Sequence, residues 1–473
     1  MFINRIPDLN RRAFLKRAAA LSAIGAGAPL AMNLAAAGEA AAFAASDYKA
    51  LVCIFLFGGN DYANTVVPYD LANYDLYNAI RGGGAGRTRG GVALGHDELT
   101  ATALTTVVPQ TLTDNMQYAL APEMTRLAGL FNGGQAAVQL NVGPLIAPVT
   151  LAQYNGSDRA TYPLPPKLFS HNDQQSIWQS DGSEGATVGW GGKLGDMALS
   201  NNGTSSLTCI TAQGNAVFVS GNTALQYGIS TDGAIPIWSA KGWLWNAAQT
   251  SNALHSLITQ SSSNVMENEF ARVTTRSMDL ETVVNNALSP VTLNTVFPSN
   301  NGLADQLKIV ARMIGARTSL SEKRQVFFVS LGGFDTHDGL MENHPGLMAK
   351  LDGAMGAFYD ATVEMGVADK VTAFTASDFG RTLAFNGNGT DHGWGSHHFV
   401  VGGAVRGGRY YGTAPHVSLT SDDQVGQGRL LPSTSVDQLA ATLGRWFGVA
   451  DSDLSTVLPN IGRFGTSNLG YFA

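Results

Sequence analysis

Ala50 to Phe57 is a nearly unbroken apolar run closed by Gly58-Gly59. It is too short for a buried helix and apolar on both alternating faces, which predicts a central strand covered on both sides. That strand delivers Asn60, Asp61, Asn64 and Thr65 into a turn. Leu120, Met124, Leu127, Leu130 and Phe131 recur at helical spacing, and Gly133-Gly134 stops the helix before a strand from Ala136 to Val142. From Leu303 the alternation is regular: a helix to about Ile314, a strand at Val326 to Leu331, a helix from about Pro345 to Met365 ending at Gly366, and a strand at Val371 to Ala376. Leu347, Leu351, Ala354, Met355 and Phe358 share one face of that helix and belong to the core. A last amphipathic helix spans about Val436 to Phe447, with Ser435 as its N-cap. Strands alternating with helices predict an α/β fold, a mostly parallel central sheet flanked by helices on both faces.

The segment from about 143 to 300 breaks this rhythm, with proline-rich turns, a polar helix candidate at Asp173 to Ser180, short strands near 207 to 220 and a long helical stretch after Ser251. It reads as an insertion or a cap on a single α/β domain spanning 45 to 473. Residues 81 to 91, rich in glycine and arginine, lack the lysine of a phosphate-binding P-loop and read as a surface loop.

The N-terminus carries Asn10-Arg11-Arg12-Ala13-Phe14-Leu15-Lys16, then a weakly hydrophobic, alanine-rich stretch ending at Ala42-Phe43-Ala44. Paired arginines in this register, with small residues at the cut, mark residues 1–44 as a twin-arginine signal cleaved after Ala44. The expected partner is the twin-arginine translocation machinery, and the expected location is the periplasm or the medium. That machinery carries folded proteins, so a metal acquired in the cytoplasm would travel with the chain. Cleavage leaves 24 Lys+Arg against 34 Asp+Glu, a formal charge of −10, which argues against nucleic acid as a partner. Beyond the signal no run of about 18 apolar residues occurs, so no membrane span is expected in the mature form. Cys53 and Cys209 each lie in an apolar β-like run and are expected as buried thiols, although an oxidising compartment would permit a disulfide between them.

Six of the nine histidines fall between His337 and His416, most of them beside an aspartate in a glycine-rich turn after a β-type run. Three predicted strands each feed an aspartate at or just past their C-terminal ends: Asp61, Asp335 and Asp378. In open α/β sheets that edge is where sites form, so these turns are expected to converge on one or two divalent ions. Asp335 and His337, two residues apart in an extended turn, point to one side. His392, next to Asp391 among glycines, is expected to ligate closely. His397 and His398 cannot both face one point in a strand, so only one, taken as His397, is expected as a ligand. Arg381, three residues after Asp378, either clamps a phosphate or carboxylate or forms a salt bridge to Asp378. Ser170-His171-Asn172-Asp173-Gln174-Gln175 is a polar helix start that either brings His171 or Ser170 over the site or merely caps the helix.

Several segments together resemble the DUF1501 family of exported bacterial proteins, which is similar to the alkaline phosphatase and sulfatase superfamily. They are the twin-arginine start, Phe57-Gly58-Gly59-Asn60-Asp61 leading to Asn64-Thr65-Val66-Val67-Pro68, Gly333-Phe334-Asp335-Thr336-His337, Asp378-Phe379-Gly380-Arg381-Thr382 and Gly389-Thr390-Asp391-His392-Gly393-Trp394-Gly395. The resemblance implies aspartate and histidine ligands at strand ends and a serine, threonine or modified cysteine as nucleophile. Carried residue by residue, Asp335 and His337 resemble one ligand pair, Asp391 and His392 another, and Asp61 or Asn64 the ligand after the first strand. Thr65 is the nearest hydroxyl for the nucleophile, with Arg381 and His171 beside it. Neither Cys53 nor Cys209 lies in the Cys/Ser-x-Pro-x-Arg segment that formylglycine sulfatases need, and no G-x-S-x-G elbow is present. The expected activity is hydrolysis of small-molecule or polysaccharide esters of phosphate or sulfate. Mixed nitrogen and oxygen ligands favour Zn or Mn, with Ca or Mg fitting if carboxylates dominate. The competing expectation is a non-catalytic exported protein that keeps the fold and binds a polysaccharide or an envelope partner.

Overall fold

A computed structural model describes residues 45–473 apart from Asp181 and Trp243. The signal segment and its cleavage point after Ala44 lie outside the described residues. The strands that matter for the site are β1 (Lys49–Phe57), β2 (Ala136–Gly143), β3 (Cys209–Thr211), β4 (Gln226–Ser230), β5 (Gly233–Ala234), β6 (Arg324–Gly332), β7 (Val371–Ser377), β8 (Arg381–Phe385), β9 (Thr390–His392), β10 (Ser396–Val401) and β11 (Tyr410–Tyr411). The central sheet runs β11-β2-β10-β7-β1-β6-β3-β4-β5. β7, β1, β6, β3 and β4 are mutually parallel, whereas β10 is antiparallel to both β7 and β2. The result is a mixed α/β fold with a large, mostly parallel sheet.

β1 sits at the middle of that sheet, with Val52 opposite Phe327 on one side and Ala373 on the other. Ala50, Val52, Ile54 and Leu56 face a core shared with two helices, α1 (Gly302–Gly315) and α2 (Leu340–Glu364). Phe55, from the alternate set, packs against Phe328, which meets Phe218 on the opposite layer. Burial on both faces is why the strand is a continuous apolar run without polar alternation. α2 begins at Leu340, one turn earlier than Pro345 suggested, and carries that proline inside. Within 143–300, β3 and β4 continue the central sheet parallel to β6, and the helix His171–Ser180 turns back to the strand ends. Both cysteines are buried free thiols. No helix among the described residues is long and apolar enough to cross a membrane.

The parallel strands place the ends of β1, β6 and β7 on one edge. β1 exits through Gly58 and Gly59 at φ +117 and +83, a conformation L side chains rarely adopt. A Cβ on Gly58 would lie 2.3 Å from the Asp335 amide nitrogen, so this glycine lets the turns after β1 and β6 touch.

Just before β6, Glu322 is buried, accepts the Thr204 N–H at 3.0 Å and leaves Oε2 without a partner among the described residues. Burial pushes its pKa from 4.5 up to about 8. The folded chain therefore keeps a proton that the unfolded chain releases above its own lower pKa. Stability contributed by this group is greatest at or below pH ~4.5 and declines as the pH rises to ~8, by on the order of a few kcal/mol. Glu322→Gln is expected to flatten that decline. Denaturant titrations between pH 5 and 8 that give wild type and variant the same pH slope would exclude the assignment.

Candidate metal centre

Three imidazoles meet at the Asp335 carboxylate, three residues beyond β6. His392 Nε2 and His337 Nε2 each lie 3.3 Å from Asp335 Oδ1, and His171 Nε2 lies 3.5 Å from Oδ2. His337 Nε2 and His392 Nε2 are 2.7 Å apart. His171, Asp335 and His392 each offer one ligand atom, all within 4.8 Å of one another.

The other nitrogen of every ring decides the chemistry. His171 Nδ1 is 2.6 Å from Asp378 Oδ2, His337 Nδ1 is 3.1 Å from Asp391 Oδ1, and His392 Nδ1 is 2.8 Å from the Phe169 carbonyl. Ionised carboxylates and carbonyls only accept, so each Nδ1 carries the proton and, in the neutral ring, each Nε2 presents its lone pair. Three lone pairs and a carboxylate brought this close repel unless a cation, or a proton shared between His337 and His392 at 2.7 Å, joins them. Acceptors behind histidines in this way are the usual outer support of a metal site. The donor set therefore fits a divalent ion.

Secondary structure explains how the parts arrive. Asp378 follows β7 directly, is fully buried, and accepts the Gly58 amide at 3.2 Å and Gln175 Nε2 at 2.7 Å. His171 is the first residue of its helix, preceded by Phe169 at φ +71. A phenylalanine in the left-handed region is strained by roughly 1–2 kcal/mol, and such strain persists where surroundings over-determine it. Here the carbonyl it aims at His392 supplies one such restraint. Arg381 opens β8, pairs in register with His392 of β9, and is fully buried.

Arg381 donates from Nη1 to Asp335 Oδ1 at 2.9 Å and to the Gly58 carbonyl at 3.0 Å, from Nε to Thr390 Oγ1 at 2.9 Å, and from Nη2 to the Thr390 carbonyl. Partial burial pushes the Asp335 pKa up, but this hydrogen bond and charge hold it below the usual carboxylate range. The Asp378 hydrogen bond raises the His171 pKa against its partial burial, whereas burial lowers that of His392. Asp335 retains 47% and His337 44% of their side-chain exposure, so solvent reaches the cluster.

Of the residues singled out in the sequence, Asp335, His337 and His392 lie together, and His171 joins them as a fourth donor beyond its place at the helix start. Asp378 and Asp391 stand one bond further out, behind His171 and His337. Arg381 pairs with Asp335, not Asp378, and its internal bonds correct the expectation that it clamps an anion. Four others are elsewhere. Asp61 is sealed against Arg81 at 2.9 Å, which also removes Arg81 from the expected surface loop. Asn64 donates to the Val92 carbonyl at 2.8 Å and accepts from Tyr77 at 2.6 Å. Thr65 is buried and donates to the Asp61 carbonyl at 2.8 Å. His397 is buried in β10 among Tyr62 and Tyr118, accepts the Asn141 N–H at 3.0 Å, and has its pKa pushed down to about 3 by burial. His398 faces Thr375 and Trp178, so neither member of that pair reaches Asp335. Phe169 and Gln175 carried no signal of their own; the polar run after Ser170 was the only hint of this arm.

Asp378→Asn keeps the shape behind His171 but removes the charge and leaves one acceptor oxygen for the Gly58, Gln175 and His171 donors, which loosens the hold on the His171 tautomer. Metal affinity is expected to fall ~10–100-fold. A competition titration with a chromogenic chelator measures this, and unchanged affinity would separate Asp378 from the centre.

The sequence profile of the family described as "Protein of unknown function (DUF1501)" matches residues 48–459. No protein of curated function matches. Among solved structures, the sulfatase PsFucS1 from Pseudoalteromonas sp. aligns over 86% of this chain and 68% of its own, at 10% identity and a TM-score of 0.34. The lipoteichoic acid synthase LtaP from Listeria monocytogenes aligns over 87% and 75%, at 9% identity and a TM-score of 0.33. A variant of the alkaline phosphatase PafA aligns over 72% and 64%, at 11% identity and a TM-score of 0.25.

Proposed function

This chain belongs to the DUF1501 family, and from that premise we propose that it is an exported, metal-dependent hydrolase of phosphate or sulfate esters. The observation that carries the reading is the convergence of His171, His392 and the Asp335 carboxylate, with His337 Nε2 alongside at 2.7 Å from His392 Nε2, each imidazole held from behind by an acceptor. A divalent ion in such a setting polarises an ester oxygen and lowers the pKa of a bound water.

His171, His337, His392 and Asp335 are the residues that would hold it. Three nitrogens with one carboxylate favour Zn or Mn over Ca or Mg. Asp378, Asp391 and the Phe169 carbonyl keep a proton on each Nδ1, so the lone pairs stay turned inward. Arg381 keeps Asp335 ionised and fixes its rotamer from the buried side. Thr65, committed to the Asp61 carbonyl, gives no support for a threonine nucleophile. The twin-arginine segment supports a location in the periplasm or the medium, reached through the twin-arginine machinery, and the substrates in this reading are small-molecule or polysaccharide esters.

Elemental analysis of protein purified after native export, without an affinity tag, tests the centre. About one equivalent of zinc or manganese, with ester turnover abolished by chelator, is the expected result. A folded, metal-free protein that binds glycan without turnover would replace this reading with the non-catalytic one.

A further inference from the structure

Arg429 stands beside the centre and is not among the four groups that would hold the ion. It lies at the end of a tight turn in which Gly426, Gln427 and Gly428 all have positive φ, at +101, +57 and +70. The turn is closed by Arg429 N–H to the Gly426 carbonyl at 3.0 Å and by Val425 N–H to the Arg429 carbonyl at 2.8 Å. It is pinned from outside by Tyr62, whose hydroxyl donates to the Gly428 carbonyl at 3.1 Å.

The side chain is held at both ends. Its Nε–H donates to the backbone carbonyl of His392 at 2.6 Å, and its guanidinium lies over the Phe169 ring at 5.3 Å. His392 and Phe169 are also the two residues joined by the bond that orients the His392 imidazole. Phe169 thus serves twice from its strained backbone: the carbonyl holds the ligand, and the ring holds the arginine.

What remains of the guanidinium is open. Nη1 makes one long bond, 3.4 Å to the Gly426 carbonyl, and Nη2 has no partner among the described residues. The buried arginines Arg81, Arg324 and Arg381 are each paired with an aspartate. Arg429 is half-buried and forms no ion pair among the described residues, the Asp391 carboxylate acting on it only through space from beyond ion-pair distance. A partly desolvated guanidinium without a directly paired anion is unfavourable, and its fixed fork of N–H groups matches two oxygens of a tetrahedral oxyanion.

We propose that Arg429, rather than Arg381, is the specificity-determining residue that binds a non-bridging oxygen of a phosphate or sulfate group presented to the centre. This rests on the hydrolase reading for its substrate class, while the anion site is measurable without turnover. The arginine is presented by a rigid turn and an aromatic face, so little side-chain freedom is lost when the anion binds.

The test uses the full mature protein loaded with zinc. Calorimetry with inorganic phosphate and with sulfate is run on wild type, Arg429→Met and Arg429→Lys, with metal content measured on each sample. Wild type is expected to bind at least one of the two anions. Arg429→Met should lose at least about tenfold in affinity while keeping its metal, and Arg429→Lys should recover part of it through charge without the fork. On any ester that wild type turns over, the Met variant should raise KM. Equal anion affinity in wild type and Met variant, or no anion binding by wild type, overturns the proposal. Loss of metal in both variants overturns it too, by making Arg429 a support for His392. Arg429-dependent anion binding with no turnover of any ester would sink the hydrolase reading alone, whereas turnover with unchanged KM would sink this assignment alone.

Discussion

Asp335→Ala is expected to leave folding intact and to come through purification with almost no metal. Its carboxylate is the one group that all three imidazoles face, with Oδ1 at 3.3 Å from His337 and His392 and Oδ2 at 3.5 Å from His171. It also supplies the negative charge among the donor atoms. Removing an outer partner of a ligand costs ~10–100-fold in affinity, so removing this ligand should cost more than about 100-fold. Arg381 does not compete decisively for the carboxylate. It takes one position on Oδ1, and an ionised carboxylate has about four lone-pair sites. Nor should the fold suffer greatly, because Asp335 is half exposed and Arg381 keeps its bonds to the Gly58 and Thr390 carbonyls. Metal content per folded molecule by mass spectrometry, with circular dichroism as the control, decides the point. A folded Asp335→Ala protein with full metal would mean that the histidine cluster is architectural.

Asp61→Ala should behave in the opposite way, with a large loss of stability and no loss of metal from the molecules that remain folded. Asp61 and Arg81 retain 1% and 0% of their side-chain exposure and pair at 2.9 Å. Removing one partner of a buried pair strands the other charge, at a cost of about 3–5 kcal/mol. Here the carboxylate also accepts the Asn64 amide at 2.9 Å and the Thr390 hydroxyl at 3.0 Å, which places the cost toward the upper end. Thr390 in turn receives Arg381, so the pair stiffens the floor of the centre without touching the ligand atoms. Urea denaturation of Asp61→Ala against Asp61→Ala/Arg81→Met separates the terms: the double variant, freed of a stranded guanidinium, should recover part of the loss. Normal stability together with depleted metal would restore Asp61 to the ligand set that the family resemblance implies.

The contrast between these two aspartates shows where local reading ends. Both follow central strands, both sit among glycines, and in the chain they look alike. Asp335 emerges into solvent beside histidines, whereas Asp61 turns inward onto an arginine 20 residues away. His171 makes the same point from the other side. It reaches Asp378 across 207 residues, and nothing near it marks a ligand except a polar run that a plain helix cap explains equally well. His397 and His398 were legible as pointing to opposite faces of a strand. That both faces are buried follows from what packs on them, Tyr62 and Tyr118 against His397 and Trp178 against His398, contacts with distant segments that leave no local pattern.

By itself the sequence determined the parallel core and the edge at which chemistry gathers. The apolar runs of β1, β6 and β7 are nearly continuous because both of their faces are covered. Parallel strands put their polar exits on one side, so Asp61, Asp335 and Asp378 had to arrive at the same end of the sheet. Only the tertiary structure decided which of those carboxylates stands free, which backs a histidine and which is consumed by a buried arginine. A side chain's periodicity reports whether it is covered. What it is covered by, and hence whether its charge is neutralised internally or left to recruit an ion or a substrate, depends on contacts between distant segments.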